Sequence, residues 1–177
     1  MFPLTFDEYE DMKRFYGRDI DANAEIELNN YILEGGFPRA IQIDSLSDKR
    51  TYVKGIIGEI FEKDIKRRVK IKDVHSFDLV RNYIINNFGA TTSINSLHEA
   101  LLKNGMTISR ATVTRYIKTL VDAKILYECK RFDMKSKKTL SGEQKYYVAD
   151  LSFYYAMNTD NRINYGPTLE NVVYFYA

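Results

Sequence analysis

The stretch over residues 93–124, SINSLHEALLKNGMTISRATVTRYIKTLVDAK, restricts the folds open to this chain more than any other part of it. It carries two apolar stripes of helical period with a break between them. The first predicts a helix over residues 94–103, capped by Ser93, with Ile94, Leu97, Leu101 and Leu102 on one face. Asn104 and Gly105 end it, because both tolerate the left-handed backbone that closes a helix. Ser109 offers an N-cap oxygen to a second helix over residues 110–124. There Val113, Ile117, Leu120 and Val121 face inward, leaving Arg110, Thr114, Arg115, Lys118 and Thr119 on the opposite face. A helix-turn-helix presents such a face to phosphates and base edges.

The flanking segments extend this unit. Phe77, Val80, Ile84, Ile85 and Phe88 form another helical stripe that stops at Gly89. After Lys124 the period changes to the β-branched and aromatic style of strands over residues 125–132 and 144–151. A polar loop over residues 133–142 lies between them. Three helices, a strand, a basic loop and a strand are the order of a winged helix, and the fold class expected is mainly α with a small β-hairpin. The wing would carry Lys135, Lys137 and Lys138. With Arg110, Thr114, Arg115 and Lys118 these make the expected nucleic-acid-binding set, Arg110 and Arg115 being best suited to bidentate base reading. Net charge is only +2, but residues 1–62 hold 13 acidic and 7 basic residues while 103–145 hold 4 acidic and 11 basic. A basic module therefore follows an acidic one.

The first part of the chain reads as helical. Thr5 and Glu8 have capping-box spacing, which predicts a helix ending near Gly17. A second helix is expected after Asp21, stopping at Gly35-Gly36, where Pro38 forces Phe37 into an extended conformation. Val53, Ile56, Ile57, Ile60, Phe61 and Ile65 predict one long amphipathic helix over residues 47–68. Its basic end, Lys63, Lys66, Arg67, Arg68, Lys70 and Lys72, reads either as a nucleic-acid-facing ridge or, preferably, as a solvated helix terminus suited to the macrodipole. The tail contains a loop over residues 158–164. The apolar pattern after Gly166 then begins a helix with no stop signal before Ala177, so the chain is expected to end within that element.

Catalytic chemistry finds no footing. No G-x-x-x-x-G-K-[ST] phosphate cradle occurs, and no nucleophile triad or carboxylate pair is spaced for chemistry. His75 and His98 lack partners at metal-ligand spacing, so no metal site is expected and both read as surface or helix-end residues. The single cysteine, Cys129, lies among alternating apolar residues as a strand residue and excludes an internal disulfide framework. No segment has the roughly 18 apolar residues of a membrane span. A cytoplasmic location is expected.

Six phrases together resemble a known family: PLTFDEY at residues 3–9, YILEGGFP at 31–38, KDI at 63–65, SRATVTRYI at 109–117, KYYVAD at 145–150 and GPTLENVVY at 166–174. In order and spacing they are similar to prokaryotic AAA-type ATPases with a C-terminal domain-of-unknown-function 4143 region. The resemblance implies a helical lid-like region over residues 1–72, a winged-helix domain over 73–151, and a linker with the truncated start of a nuclease-like domain over 152–177. Glu170 would match the first acidic position of that last domain. A lone carboxylate cannot hold a catalytic metal. The reading is therefore of a non-catalytic fragment, neither ATPase nor nuclease, with ATP and Mg belonging to the parent protein and no cofactor in this chain. Its winged helix would bind DNA or dock on the ATPase core or another protein. The alternative is a stand-alone winged-helix transcriptional regulator whose N-terminal helices form a dimerisation or effector domain.

Overall fold

The computed structural model describes residues 3–68, 70–71, 73–133, 138–158 and 162–176. Residues 1–59 with 149–177 form one compact unit and residues 60–148 form another. The fold is mainly helical with one small antiparallel sheet.

The first unit begins with α1 (Phe6–Phe15), whose capping box joins Thr5 N–H to Glu8 Oε2 at 2.9 Å, as the spacing predicts. Asn23 caps α2 (Ala24–Glu34) by accepting from Glu25 N–H at 2.9 Å. Proline opens the short α3 (Pro38–Ile41), and α4 (Leu46–Ile60) follows. The chain contributes α9 (Ser152–Met157) and α10 (Tyr165–Tyr176) to the same unit. Tyr9, Ile32, Phe37, Ile41, Val53, Leu151, Phe153 and Tyr155 are buried. With no tryptophan in the chain, tyrosine and phenylalanine supply the bulk of this core. The Phe37 and Phe153 ring centroids lie 5.6 Å apart, and Tyr31 sits 5.3 Å from Tyr9 and 5.6 Å from Phe6. Each tyrosine tip finds an acceptor: Tyr31 Oη donates to Leu4 O at 2.9 Å and Tyr9 Oη to Glu34 Oε2 at 3.0 Å.

The turn after α2 is the tightest point of this unit. Gly35 has φ +81°, and a Cβ there would lie 2.3 Å from Asp150 Oδ1. Gly36 N–H donates to Asp150 Oδ2 at 2.7 Å, and Ser152 N–H donates to Asp150 Oδ1 at 2.8 Å, fixing the start of α9. Complete burial raises the Asp150 pKa, against the two amide hydrogen bonds that favour the carboxylate.

The predicted helix over 47–68 is interrupted. After α4 the chain makes a π-helical turn at Phe61–Ile65 and then α5 (Lys66–Arg68). The wider turn takes up an extra residue where Phe61 packs 5.4 Å from the Phe77 ring. In this second unit α6 (Val74–Asn86) buries Phe77, Val80, Ile84 and Ile85, the stripe expected from sequence, and Gly89 closes it at φ +72°. A strand not foreseen, β1 (Thr91–Ser93), precedes α7 (Ile94–Lys103) and α8 (Arg110–Asp122). β2 (Leu126–Asp133) and β3 (Lys138–Val148) follow, and the sheet order is β1-β3-β2. The expected two-stranded hairpin is thus a three-stranded antiparallel sheet, with Thr92 opposite Gln144 and Glu128 opposite Tyr146. Its two longer strands also reach further than expected, into the stretch read as loop, with a register irregularity between Lys130 and Phe132.

Two measurements test the turn after α2. Gly17 also has positive φ, at +63°, but nothing lies within 4 Å of its Cβ position. In urea unfolding Gly17→Ala should cost about 1 kcal/mol of backbone strain, and Gly35→Ala about 3 kcal/mol or more because the clash adds to the strain. Equal losses would remove the Asp150 contact from the account. For Asp150 the folded pKa lies above the unfolded one, so its contribution is fully present below the ordinary aspartate value of about 3.9 and is lost as pH rises through the folded value. Asp150→Asn should therefore gain stability relative to the unchanged protein as pH is raised upward from about 3.9. A pH-independent difference between the two midpoints would contradict this.

Candidate nucleic-acid interface

The helix pair α7–α8 is built from local rules that the sequence spells out. Ser93 Oγ accepts from Ser96 N–H at 3.0 Å and Ser109 Oγ accepts from Thr112 N–H at 3.2 Å, so both helices start on serine caps. Asn104 and Gly105 form the break, Gly105 at φ +79°. His98 does what its position alone did not reveal: Nε2 lies 2.8 Å from Ile108 O, pinning the connection between the helices. Its role is internal to the turn, which corrects its reading as a surface or helix-end residue.

The inward face of α8 holds Val113, Tyr116, Ile117 and Leu120. Tyr116 is the largest of these side chains. Its ring packs edge-on to Phe77 at 5.2 Å and its hydroxyl donates to Asp73 O at 3.3 Å. Burying an aromatic side chain of this size contributes about 2–3 kcal/mol. Asp73 itself caps α6, and hydrogen bonds from the Ser76 hydroxyl and amide hold its carboxyl below the usual range. Behind the sheet, burial pushes the Tyr146 hydroxyl up to about 12, with the nearby Glu128 charge acting the same way against a hydrogen bond from Gln144.

Of the predicted site residues, Arg110, Thr114, Arg115 and Lys118 are exposed together on α8. Two successive spacings of four residues place Arg110, Thr114 and Lys118 along one face, with Arg115 beside them. Thr114 Oγ1 donates to Arg110 O at 3.0 Å, and the Arg115 guanidinium lies 5.6 Å from the Tyr116 ring centroid. Thr119 departs from expectation. It is buried and its hydroxyl donates to Arg115 O at 2.8 Å, so it does not belong to the exposed face. Leu102 departs in the other direction: it was assigned to the apolar stripe but is exposed. Lys135 and Lys137 of the expected wing lie outside the described residues, and Lys138 opens β3 opposite Asp133 in the backbone register.

Further cations lie on the sheet, where strand alternation did not mark them as functional. Arg131 and Lys145 line a cavity of about 290 Å³ with Thr91, Cys129 and Glu143. The register sets Cys129 and Thr91 on either side of Lys145. Arg131 pairs with Glu143 only at 3.9 Å between exposed side chains, an interaction of small energetic weight. Among the described residues no group of His, Cys, Asp or Glu is arranged to hold a metal ion, and no helix is long and apolar enough to cross a membrane.

A profile of the family described as Domain of unknown function (DUF8612) matches residues 25–163. An uncharacterised protein of Haemophilus influenzae is 25% identical over 177 residues, covering 98% of this chain and 43% of its own length. An uncharacterised protein of Methanocaldococcus jannaschii is 30% identical over 179 residues, covering 98% of this chain and 40% of its own. The chain thus spans about two fifths of these relatives. No solved structure matches it significantly. The family matched is not the AAA-type ATPase family with a domain-of-unknown-function 4143 region, which corrects that assignment. Within the first unit, two of the quoted phrases, YILEGGFP and KYYVAD, meet through Gly36 and Asp150.

The His98 contact is open to direct test. His98→Ala should lower the unfolding free energy by about 1–2 kcal/mol through loss of one part-buried hydrogen bond, measured by urea unfolding. An unchanged midpoint would remove the His98 hydrogen bond from the account of the turn.

Proposed function

The chain belongs to the family described as Domain of unknown function (DUF8612), and we propose that residues 73–148 of this member form a winged helix-turn-helix that binds double-stranded DNA through α8. The observation that carries this reading is the exposed set Arg110, Thr114, Arg115 and Lys118 on a helix whose other face is fully occupied by packing. The element order α6-β1-α7-α8-β2-β3 and the strand order β1-β3-β2 support the winged arrangement. In it α8 enters the major groove while β2 and β3 form the wing.

The division of labour follows from chemistry. Lys118 is a point charge suited to phosphate, whereas the planar guanidinium groups of Arg110 and Arg115 can also address guanine edges. First-turn amides of α7 and α8 beyond those taken by the serine caps would be a second source of favourable phosphate contacts. Binding is expected to be dominated by the backbone, with modest base selectivity from the two arginines. The protein acts here as a DNA-binding module, with no catalytic residue assigned.

Fluorescence anisotropy with a labelled duplex checks the reading. Three phosphate contacts predict a slope of about −2.7 in log K against log salt, or roughly a fortyfold loss between 50 and 200 mM. Replacing Arg110, Arg115 and Lys118 together by alanine should abolish most of the binding and flatten the slope. Binding that is absent at low salt, or indifferent to the triple substitution, would end the proposal.

A further inference from the structure

A second cavity of about 290 Å³ opens in the first unit, where the ends of α1, α2 and α3 meet the first turn of α4. Its wall combines cations, Lys13, Arg18 and Lys49, with carboxylates, among them Glu34 and Asp44, and with the aliphatic side chains of Ile41 and Ile43. The pairings are uneven in a way that leaves capacity for a ligand. Lys13 Nζ turns to Glu27 Oε1 at 2.5 Å and lies 5.4 Å from the Tyr9 ring centroid, so its charge is met within the protein. Lys49 is nearly buried, with a side-chain exposure of 7%, and bonds Glu34 Oε2. Tyr9 Oη bonds that same oxygen at 3.0 Å, so Glu34 Oε1 carries neither bond. An ammonium has three hydrogens, and one is directed at Glu34. Arg18 spans Asp44 Oδ1 and Gln42 O, both at 2.5 Å, at the cavity's outer edge.

Stability alone does not require this arrangement. Apolar packing of equal volume commonly serves a fold as well as a buried ion pair does, because desolvation offsets the attraction. An anion entering the cavity would be opposed by Glu34 and Asp44, and a cation by Lys49 and Arg18. A molecule carrying both charges meets each with its complement. We propose that this cavity binds a free α-amino acid with an aliphatic side chain. Its carboxylate takes the remaining hydrogens of Lys49, its ammonium lies between Glu34 Oε1 and Asp44, and its side chain rests on Ile41 and Ile43.

Isothermal titration calorimetry on the full chain separates the contributions, using L-leucine, isocaproate (leucine without its ammonium) and isoamylamine (leucine without its carboxylate). Leucine should bind, and each single-charge analogue should bind at least about tenfold more weakly, a difference of about 1.4 kcal/mol. Lys49→Met should abolish the leucine signal. Asp44→Asn alters a side chain that is 85% exposed, so the fold is kept, and should weaken leucine severalfold with an unchanged circular dichroism spectrum. No heat with leucine at millimolar concentration would overturn the proposal. An analogue that binds as tightly as leucine, or leucine affinity unchanged by Asp44→Asn, would do the same.

Discussion

The buried carboxylate of Asp150 is the contact on which the first unit depends. It accepts from Gly36 N–H across 114 residues of sequence and from Ser152 N–H two residues on, so one side chain joins the end of α2 to the start of α9. The joint requires glycine twice. Gly35 supplies positive φ and clears space for Asp150, and Gly36 lies so near the chain's lead-in that a Cβ would stand 2.3 Å from Leu4 O. Leu4 N–H donates to Gly36 O at 2.7 Å, which brings a third segment to the same turn. Residues 60–148 are thus inserted between two parts of one unit. Such non-local closure must meet its loop entropy before the contacts are gained.

The second unit follows a more local logic. Its core runs through Phe61, Phe77 and Tyr116, whose rings succeed one another at 5.4 and 5.2 Å. Tyr116 is fastened at both ends, by Phe77 on its ring and by Asp73 O on its hydroxyl, and this fixes the rotation of α8. Once Val113, Ile117 and Leu120 are also committed inward, the positions of Arg110, Thr114 and Lys118 outward follow from the helical repeat. The exposed basic face and the apolar core are two consequences of one amphipathic pattern.

This explains what could be read from the sequence. Caps at Ser93 and Ser109, the break at Asn104-Gly105 and the stripes of α6 and α8 are local signals with a definite period, and they appear where expected, while the α7 stripe keeps Leu97 and Leu101 but not Leu102. Strand β1 has three residues, too few for an alternation to register, and exists because β3 offers it a partner. Thr119 looked exposed because its residue type is polar, yet a hydroxyl that bonds back to Arg115 O can enter the core. The exposed arginines and lysine of α8 were legible for the same reason as its core. The pairs Lys13–Glu27 and Lys49–Glu34 were not, since charged residues are buried only when a partner distant in sequence meets them.

Position in the fold therefore gives the same residue types opposite uses. On α8, Arg110 and Lys118 are exposed, so their charge is screened by salt and acts at little desolvation cost, suited to a polyanion that exchanges counterions. In the first unit Lys49 is nearly buried and Glu34 half-buried, so each feels the other's field more strongly than a fully solvated pair would. A site of that kind discriminates by charge pattern rather than by net charge, because any single charge brought into it meets a fixed opponent. Net charge, which is only +2 for the whole chain, conceals both arrangements, since the exposed basic face of α8 is offset by the acidic first part of the chain and the Lys49–Glu34 pair cancels within itself.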